Sequence, residues 1–166
     1  MFFAQNNTVR IYYVIFMRVV VQRVKSASVA VNAKEVSDIG RGLLVLVGFE
    51  DDDNEEDLNW MVGKLLRLRI FDDADGLMNL SIGEVGGQIL VVSQFTLHAK
   101  TKKGNRPSFI KAAHPDIAIP LYNCFVERLK SESGTKVGEG VFGAEMLVSL
   151  ENDGPVTLFI DTKNKE

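Results

Sequence analysis

Residues 42–49 read GLLVLVGF. An unbroken apolar run of this length, flanked by glycine, is too short for a buried helix. It reads as a central strand with both faces covered. The period then changes. Leu58, Met61, Val62, Leu65 and Leu68 recur at helical spacing. The acids of residues 51–57 suit a helix N-terminus and read as its solvated start, while Lys64, Arg67 and Arg69 suit its later turns. A buried strand feeding an amphipathic helix makes the fold class mixed α/β.

The same reading extends in both directions. Upstream, residues 18–24 (RVVVQRV) form a β-branched apolar run and residues 27–31 alternate, which predicts two strands. Downstream, residues 70–80 (IFDDADGLMNL) predict a hairpin turning at Asp75 and Gly76. Gly86 and Gly87 punctuate before a strand over residues 88–95. Residues 98–111 are a polar, basic connection. A second helix is expected from Pro115 or Ile119 to Ser131, with Pro120 accepted only in its first turn. Phe125, Leu129 and either Leu121 or Tyr122 would be its buried stripe, and Gly134 its end. Gly138, Gly140 and Gly143 mark a loop. Residues 146–150 and 156–160 predict two last strands joined around Gly154-Pro155. The sum is about eight strands and two main helices in one domain, without a repeat or linker.

Composition agrees. The 166 residues are 46% hydrophobic and 25% charged, as in a globular domain with a real core. The single cysteine, Cys124, excludes an internal disulfide framework and fits a reducing, cytoplasmic setting. A net charge of -3 argues against a protein that coats nucleic acid, so any RNA contact needs a local basic patch. Residues 1–16 (MFFAQNNTVRIYYVIF) are aromatic-rich and lack acids. Gln5, Asn6, Asn7 and Thr8 interrupt the apolar stretch, and no small-residue cleavage site follows, unlike a secretory signal. They read as an upstream extension or alternative start, in preference to an organelle-targeting peptide. No run approaches the roughly 20 apolar residues of a membrane helix.

The usual catalytic sets are missing. His98 and His114 lack metal-ligand spacing with each other or with Cys124, and both read as solvated loop residues. Cys124 sits among helical apolar residues and reads as a small core residue. Asp72, Asp73 and Asp75 lack the glutamate and spacing of a calcium loop and read as turn chemistry. No metal and no cofactor are expected.

Two segments carry more. Ser93-Gln94-Phe95-Thr96-Leu97 ends an apolar strand, where backbone N–H groups need not pair within the sheet. The Phe95 and Thr96 N–H groups are candidate donors to an oxyanion formed from an ester carbonyl. By itself the segment reads better as a strand end whose hydroxyls satisfy local backbone. Asn152-Asp153-Gly154-Pro155-Val156-Thr157 is ordinary turn sequence, yet Gly-Pro is among the few pairs that adopt a cis peptide at modest cost. A cis bond there aims two carbonyls one way, a rigid acceptor for an ammonium group.

Together, in this order and with a basic loop between them, SQFTL and NDGPVT resemble the two signature motifs of the D-aminoacyl-tRNA deacylases. The resemblance runs from about Met17 to Asp161, which leaves residues 1–16 outside a domain of residues 17–166. It implies a homodimer with active sites at the subunit interface and antiparallel-rich sheets forming a barrel-like core flanked by two helices. It implies hydrolysis of the ester of D-aminoacyl-tRNA, a chiral proofreading step in translation, with residues Ser93, Gln94, Phe95 and Thr96 at the reacting centre. Gly154 and Pro155, reaching into the partner subunit's site, would hold the α-amino group and exclude L side chains. Glycine has no side chain to exclude, so glycyl-tRNA is an expected second substrate. Arg23 matches the arginine that steadies the Gly-Pro turn, and Phe142 and Met146, in VFGAEM, match pocket positions near the aminoacyl group.

Thr96 has no assigned base: His98, two residues on, reads as a solvated loop residue, Lys100 belongs to the basic loop, and no carboxylate is near in sequence. Catalysis is therefore expected from positioning and oxyanion stabilisation, with the terminal ribose 2′-OH helping to activate water, as the resemblance implies. Lys100, Lys102, Lys103, Arg106 and Lys111 lie within twelve residues with no acid among them and are expected to contact tRNA phosphates. The alternatives are a nucleic-acid-binding module that kept the fold without the chemistry, and a general serine esterase, against which stands the missing G-x-S-x-G elbow.

Overall fold

The structure, a computed structural model, describes residues 17–165, so the expected extension over residues 1–16 lies outside the described residues. The elements in chain order are β1 (Arg18–Val31), β2 (Lys34–Ile39), β3 (Gly42–Gly48), α1 (Glu55–Arg67), β4 (Phe71–Asp72), β5 (Met78–Leu80) and β6 (Gln88–Ser93). A 3-10 turn (Phe95–His98), α2 (Pro115–Ser133), β7 (Val137–Glu139) and β8 (Leu147–Asp161) complete the chain.

The main sheet runs β2-β1-β3-β6-β7, with β8 on the other side of β1. β1 is one long strand rather than the two expected. β3 pairs with its first half, β2 with its second half, and β8 with nearly all of it, all antiparallel. The continuous β8 neighbour carries β1 through Lys25 and Ser26, and two register shifts absorb the mismatch. β1 turns into β2 through Asn32 and Ala33, whose φ values of 51° and 60° suit a tight two-residue hairpin. β8 is likewise one strand, because the ladder on β1 resumes beyond Gly154 and Pro155. β4 and β5 form the expected hairpin as a separate ribbon.

β3, β6 and β7 run parallel, so their connections must cross over, and α1 and α2 lie on those crossovers. Alternation along β3 and β6 divides the interior. Leu43, Val45, Val47, Ile89 and Val91 pack toward the helices with Leu58, Met61, Leu65, Tyr122, Phe125 and Leu129. Leu44, Leu90 and Val92 face the other way, with Val24, Ala27, Val29 and Ile39 from the curled β1–β2 pair. The sheet is thereby nearly closed into a barrel with two helices outside. β3 and β6 approach so closely at Gly42 that a Cβ there would fall on the Gln88 carbonyl oxygen.

α2 begins with Pro115 in its first turn and ends at Gly134, at φ 65°. Pro120 therefore lies in the second turn, not the first. It is exposed, so the carbonyl left without a helical partner can turn to water. α1 is capped by Asn54, whose side chain accepts from the Glu56 and Asp57 N–H groups, while Asp57 reaches back in a capping box.

The acids before and within α1 are not all solvated. Asp57 is buried and pairs with Lys163 at 2.7 Å. Asp53 is buried too. Its Oδ2 accepts from the Glu50 N–H at 2.8 Å, and its Oδ1 has no partner. Burial, seconded by the negative charges of Asp57 and Glu50, pushes the Asp53 carboxyl up to about 7 against the Glu50 N–H bond. Between its ordinary value near 4 and about 7, the folded chain keeps a proton that the unfolded chain has lost. Stability should thus fall as pH rises through that window and level off above it, by at most about 4 kcal/mol. Asp53→Asn should flatten this fall in denaturant titrations at pH 5 and pH 8, and an unchanged slope would remove Asp53 as its source.

Candidate active site

The parallel register places Val47 opposite Ser93, so β3 and β6 end side by side. The carboxyl ends of parallel strands are where such sheets leave space for ligands. A cavity of about 630 Å³ opens there. Residues 47–49 and 92–95 form one wall. Residues 112–115 and Ala118, around the start of α2, form a second, and residues 142–144 with Met146 and Val148 a third. Among the lining residues the only ionisable side chain is His114, which is exposed and paired with Asp116 at 3.2 Å.

The strand gives way to the 3-10 turn at Gln94. Its N–H still bonds to the Val47 carbonyl at 2.7 Å, which extends the β3 pairing by one step. The next two N–H groups, of Phe95 and Thr96, open the turn and have no acceptor among the described residues. They are unclaimed donors beside an apolar cavity. The Gln94 side-chain amide donates to the Thr96 hydroxyl. Among the described residues no histidine or carboxylate is hydrogen-bonded to that hydroxyl.

Phe142 lies edge-on to Tyr122 at 5.6 Å, and the Tyr122 hydroxyl donates to the Val91 carbonyl at 3.1 Å. The Met146 sulfur occupies the space a side chain at Gly140 would need, since a Cβ there would lie 2.6 Å from it. Of the sequence-predicted site residues, Ser93, Gln94, Phe95, Phe142 and Met146 line the one cavity, from segments about fifty residues apart.

The others do not line it. The Gly154-Pro155 bond is cis, within β8, and both residues are exposed. Arg23 is buried beside them. It donates from Nε to the Asp153 carbonyl at 2.9 Å and from Nη1 to the Ile70 carbonyl at 2.6 Å, and it pairs with Asp72 at 3.2 Å. Gly154 has φ 126°, a conformation that favours glycine, and a Cβ there would press on Arg23 Nη2 at 3.0 Å.

Lys100, Lys102, Lys103, Arg106 and Lys111 are exposed. Two backbone bonds between Lys100 and Ser108, at 2.8 and 3.1 Å, close their loop. Phe109 follows, lines the cavity and meets Phe95 edge-on at 5.1 Å. The basic loop and the cavity mouth are therefore one continuous surface.

Sequence reasoning missed Phe109, placed Tyr122 only as an option for the helix stripe, and misread His98. Far from being solvated, the His98 side chain is fully buried, with Nδ1 3.1 Å from Glu50 Oε1. Nothing local signals this, because its partner lies 48 residues away. Cys124 is half-buried against the main core and accepts from Arg128 Nε at 3.3 Å.

Comparison with known proteins narrows the chemistry. The family model for D-Tyr-tRNA(Tyr) deacylase matches residues 20–161. The chain is 61% identical to the D-aminoacyl-tRNA deacylase of Flavobacterium psychrophilum, over 90% of its own length and all of that protein's. It is 59% identical, with the same coverage, to that of Bacteroides thetaiotaomicron. Among solved structures it is similar to the c-Myc DNA unwinding element binding protein, with a TM-score of 0.81 and 42% identity over 86% of this chain and 97% of that one. It is also similar to a probable eukaryotic D-amino acid tRNA deacylase, with a TM-score of 0.76 and 25% identity over 88% and 99% of the two chains. With a family model matching residues 20–161 and relatives about 60% identical over their whole length, the chain belongs to the D-Tyr-tRNA(Tyr) deacylase family.

Proposed function

We propose that the protein hydrolyses the ester of D-aminoacyl-tRNA, releasing the D-amino acid and free tRNA. The observation that carries this reading is the pair of unclaimed N–H groups of Phe95 and Thr96 beside an apolar cavity. An ester carbonyl bound against them gains hydrogen bonds as its oxygen becomes an oxyanion. Water adds to the carbonyl carbon, the bond to the ribose 3′ oxygen breaks, and that oxygen leaves with a proton. With no base bonded to Thr96, the ribose 2′-OH of the substrate orients the water and relays its proton, taking one from the water as it gives its own to the departing 3′ oxygen. Phe142 and Met146 bound the space for the amino-acid side chain.

Selection against L-amino acids needs a further wall. In this reading it is the Gly154-Pro155 turn of a second copy, whose carbonyls take the α-ammonium and leave no room for an L side chain. Its exposure on its own protomer, and the Arg23 bonds behind it, support that role. Glycyl-tRNA fits the same space. The exposed lysines and arginine of residues 100–111 lie where the tRNA acceptor end would leave the cavity. A tRNA substrate supports a cytoplasmic setting. A second reading, a nucleic-acid-binding module without hydrolysis, draws on that basic loop and on the DNA-binding name of one structural neighbour.

Purified protein should hydrolyse D-tyrosyl-tRNA at least roughly 10²-fold faster than the L-ester, with chelator present. Binding without hydrolysis by folded protein would favour the second reading. Thr96→Ala should keep kcat within about tenfold, because loss of a true nucleophile costs on the order of 10⁴ or more. Replacing Lys102, Lys103 and Arg106 together by serine should weaken tRNA binding and lower the slope of log affinity against log salt by about 2. An unchanged slope would take phosphate contact away from this loop. Light scattering should give a dimer, and a strict monomer would sink the cross-subunit wall.

A further inference from the structure

His98 closes the 3-10 turn that begins with Phe95 and Thr96. Its side chain is wholly buried, and Nδ1 lies 3.1 Å from Glu50 Oε1. The other edge of the ring lies over Gly48, where a Cβ would stand 3.0 Å from Cδ2 and 3.1 Å from Nε2. Nε2 is buried and has no partner. The Nδ1–H tautomer suits this setting, since it donates to Glu50 and leaves Nε2 a bare acceptor instead of an N–H without one. Glu50 is itself held, through its own N–H, by Asp53 Oδ2. The ring is thus fixed on one edge by a carboxylate and on the other by a glycine.

We propose that His98 is a positioning residue for ester hydrolysis: its buried bond to Glu50 locks the turn that aims the Phe95 and Thr96 N–H groups into the cavity. The inference rests on the hydrolase reading above. The backbone of the same turn is also held at two points, by Gln94 N–H on the Val47 carbonyl and by Arg18 Nη1 on the Leu97 carbonyl at 3.0 Å, while the Phe95 ring meets Phe109 and the Thr96 hydroxyl meets Gln94 at the surface. His98 is the only side chain of the turn that reaches into the interior, so it sets the rotation of the turn about those two points. A donor pair aimed even about 1 Å away from the oxyanion loses much of its effect. His98 does not line the cavity, so it acts through the turn and not on the substrate.

Two variants separate the bond from the bulk. The side-chain amide nitrogen of asparagine can take the place of Nδ1, whereas glutamine carries its amide to the place of Nε2. His98→Asn should therefore keep kcat for D-tyrosyl-tRNA within about threefold, and His98→Gln should lower it about 10²-fold with KM within about threefold. The backbone amide NMR shifts of Phe95 and Thr96 should move in His98→Gln and stay near wild type in His98→Asn. Equal kcat in the two variants, a change confined to KM, or unmoved Phe95 and Thr96 shifts in His98→Gln would overturn the proposal. Should His98→Gln fail to fold, Glu50→Gln keeps an acceptor oxygen without the charge. A fall in kcat of about tenfold at constant KM then supports the role, and an unchanged kcat overturns it. If wild-type protein hydrolyses no D-ester, the hydrolase reading fails, and the shift pattern alone decides whether His98 positions the turn.

Discussion

The parallel pairing of β3 with β6 is the constraint on which the molecule depends. It runs from Gly42 opposite Gln88 to Val47 opposite Ser93, and the Gln94 N–H extends it by one more bond. A slip of one residue would exchange the two faces of β6, sending Leu90 and Val92 toward the helices and Ile89 and Val91 toward the barrel interior. It would also carry the 3-10 turn away from Gly48 and Phe49. The close approach at Gly42 allows only one fit between the strands at that end. Core packing and site geometry therefore share a single register.

The parts of this arrangement that were legible in the sequence are those whose signal is local. The apolar run of β3, the helical period of α1, the β4–β5 hairpin and the Gly134 end of α2 all carry their instructions within a few residues. β2, with the sequence KEVSDI, and β7, with VGE, have too little apolar alternation to declare themselves and exist because a neighbouring strand offers a free edge. The unity of β1 and β8 was hidden for a related reason. Each contains a local break in pattern, and each is carried across it by the other.

The site divides the same way. SQFTL and VFGAEM were legible as segments, and the fold sets them on facing walls of one cavity. The buried Glu50–His98 pair was not, since a polar residue beside a basic loop looks solvated until its remote partner is known. Burying such a pair without loss requires the hydrogen bond to be made. The acids after β3 mislead for the same reason, because their run of negative charge conceals that Asp53 and Asp57 turn inward while their neighbours face water.

β8 pairs only with β1 among the described strands, so fifteen residues border an edge with no further neighbour. It also exposes Leu147, Leu150 and Phe159. Such an edge invites further strands to add without limit. Pro155 interrupts it, having no N–H to offer an incoming chain, while Glu151 and Asp153 beside that gap pair with Lys25 and Arg23 of β1. The Gly154-Pro155 segment therefore interrupts that edge as well as standing at the position proposed for stereochemical choice. A substitution there alters the edge and the proposed wall together, so a library varied at these positions would have to be sorted for colloidal behaviour before its catalytic preferences could be compared.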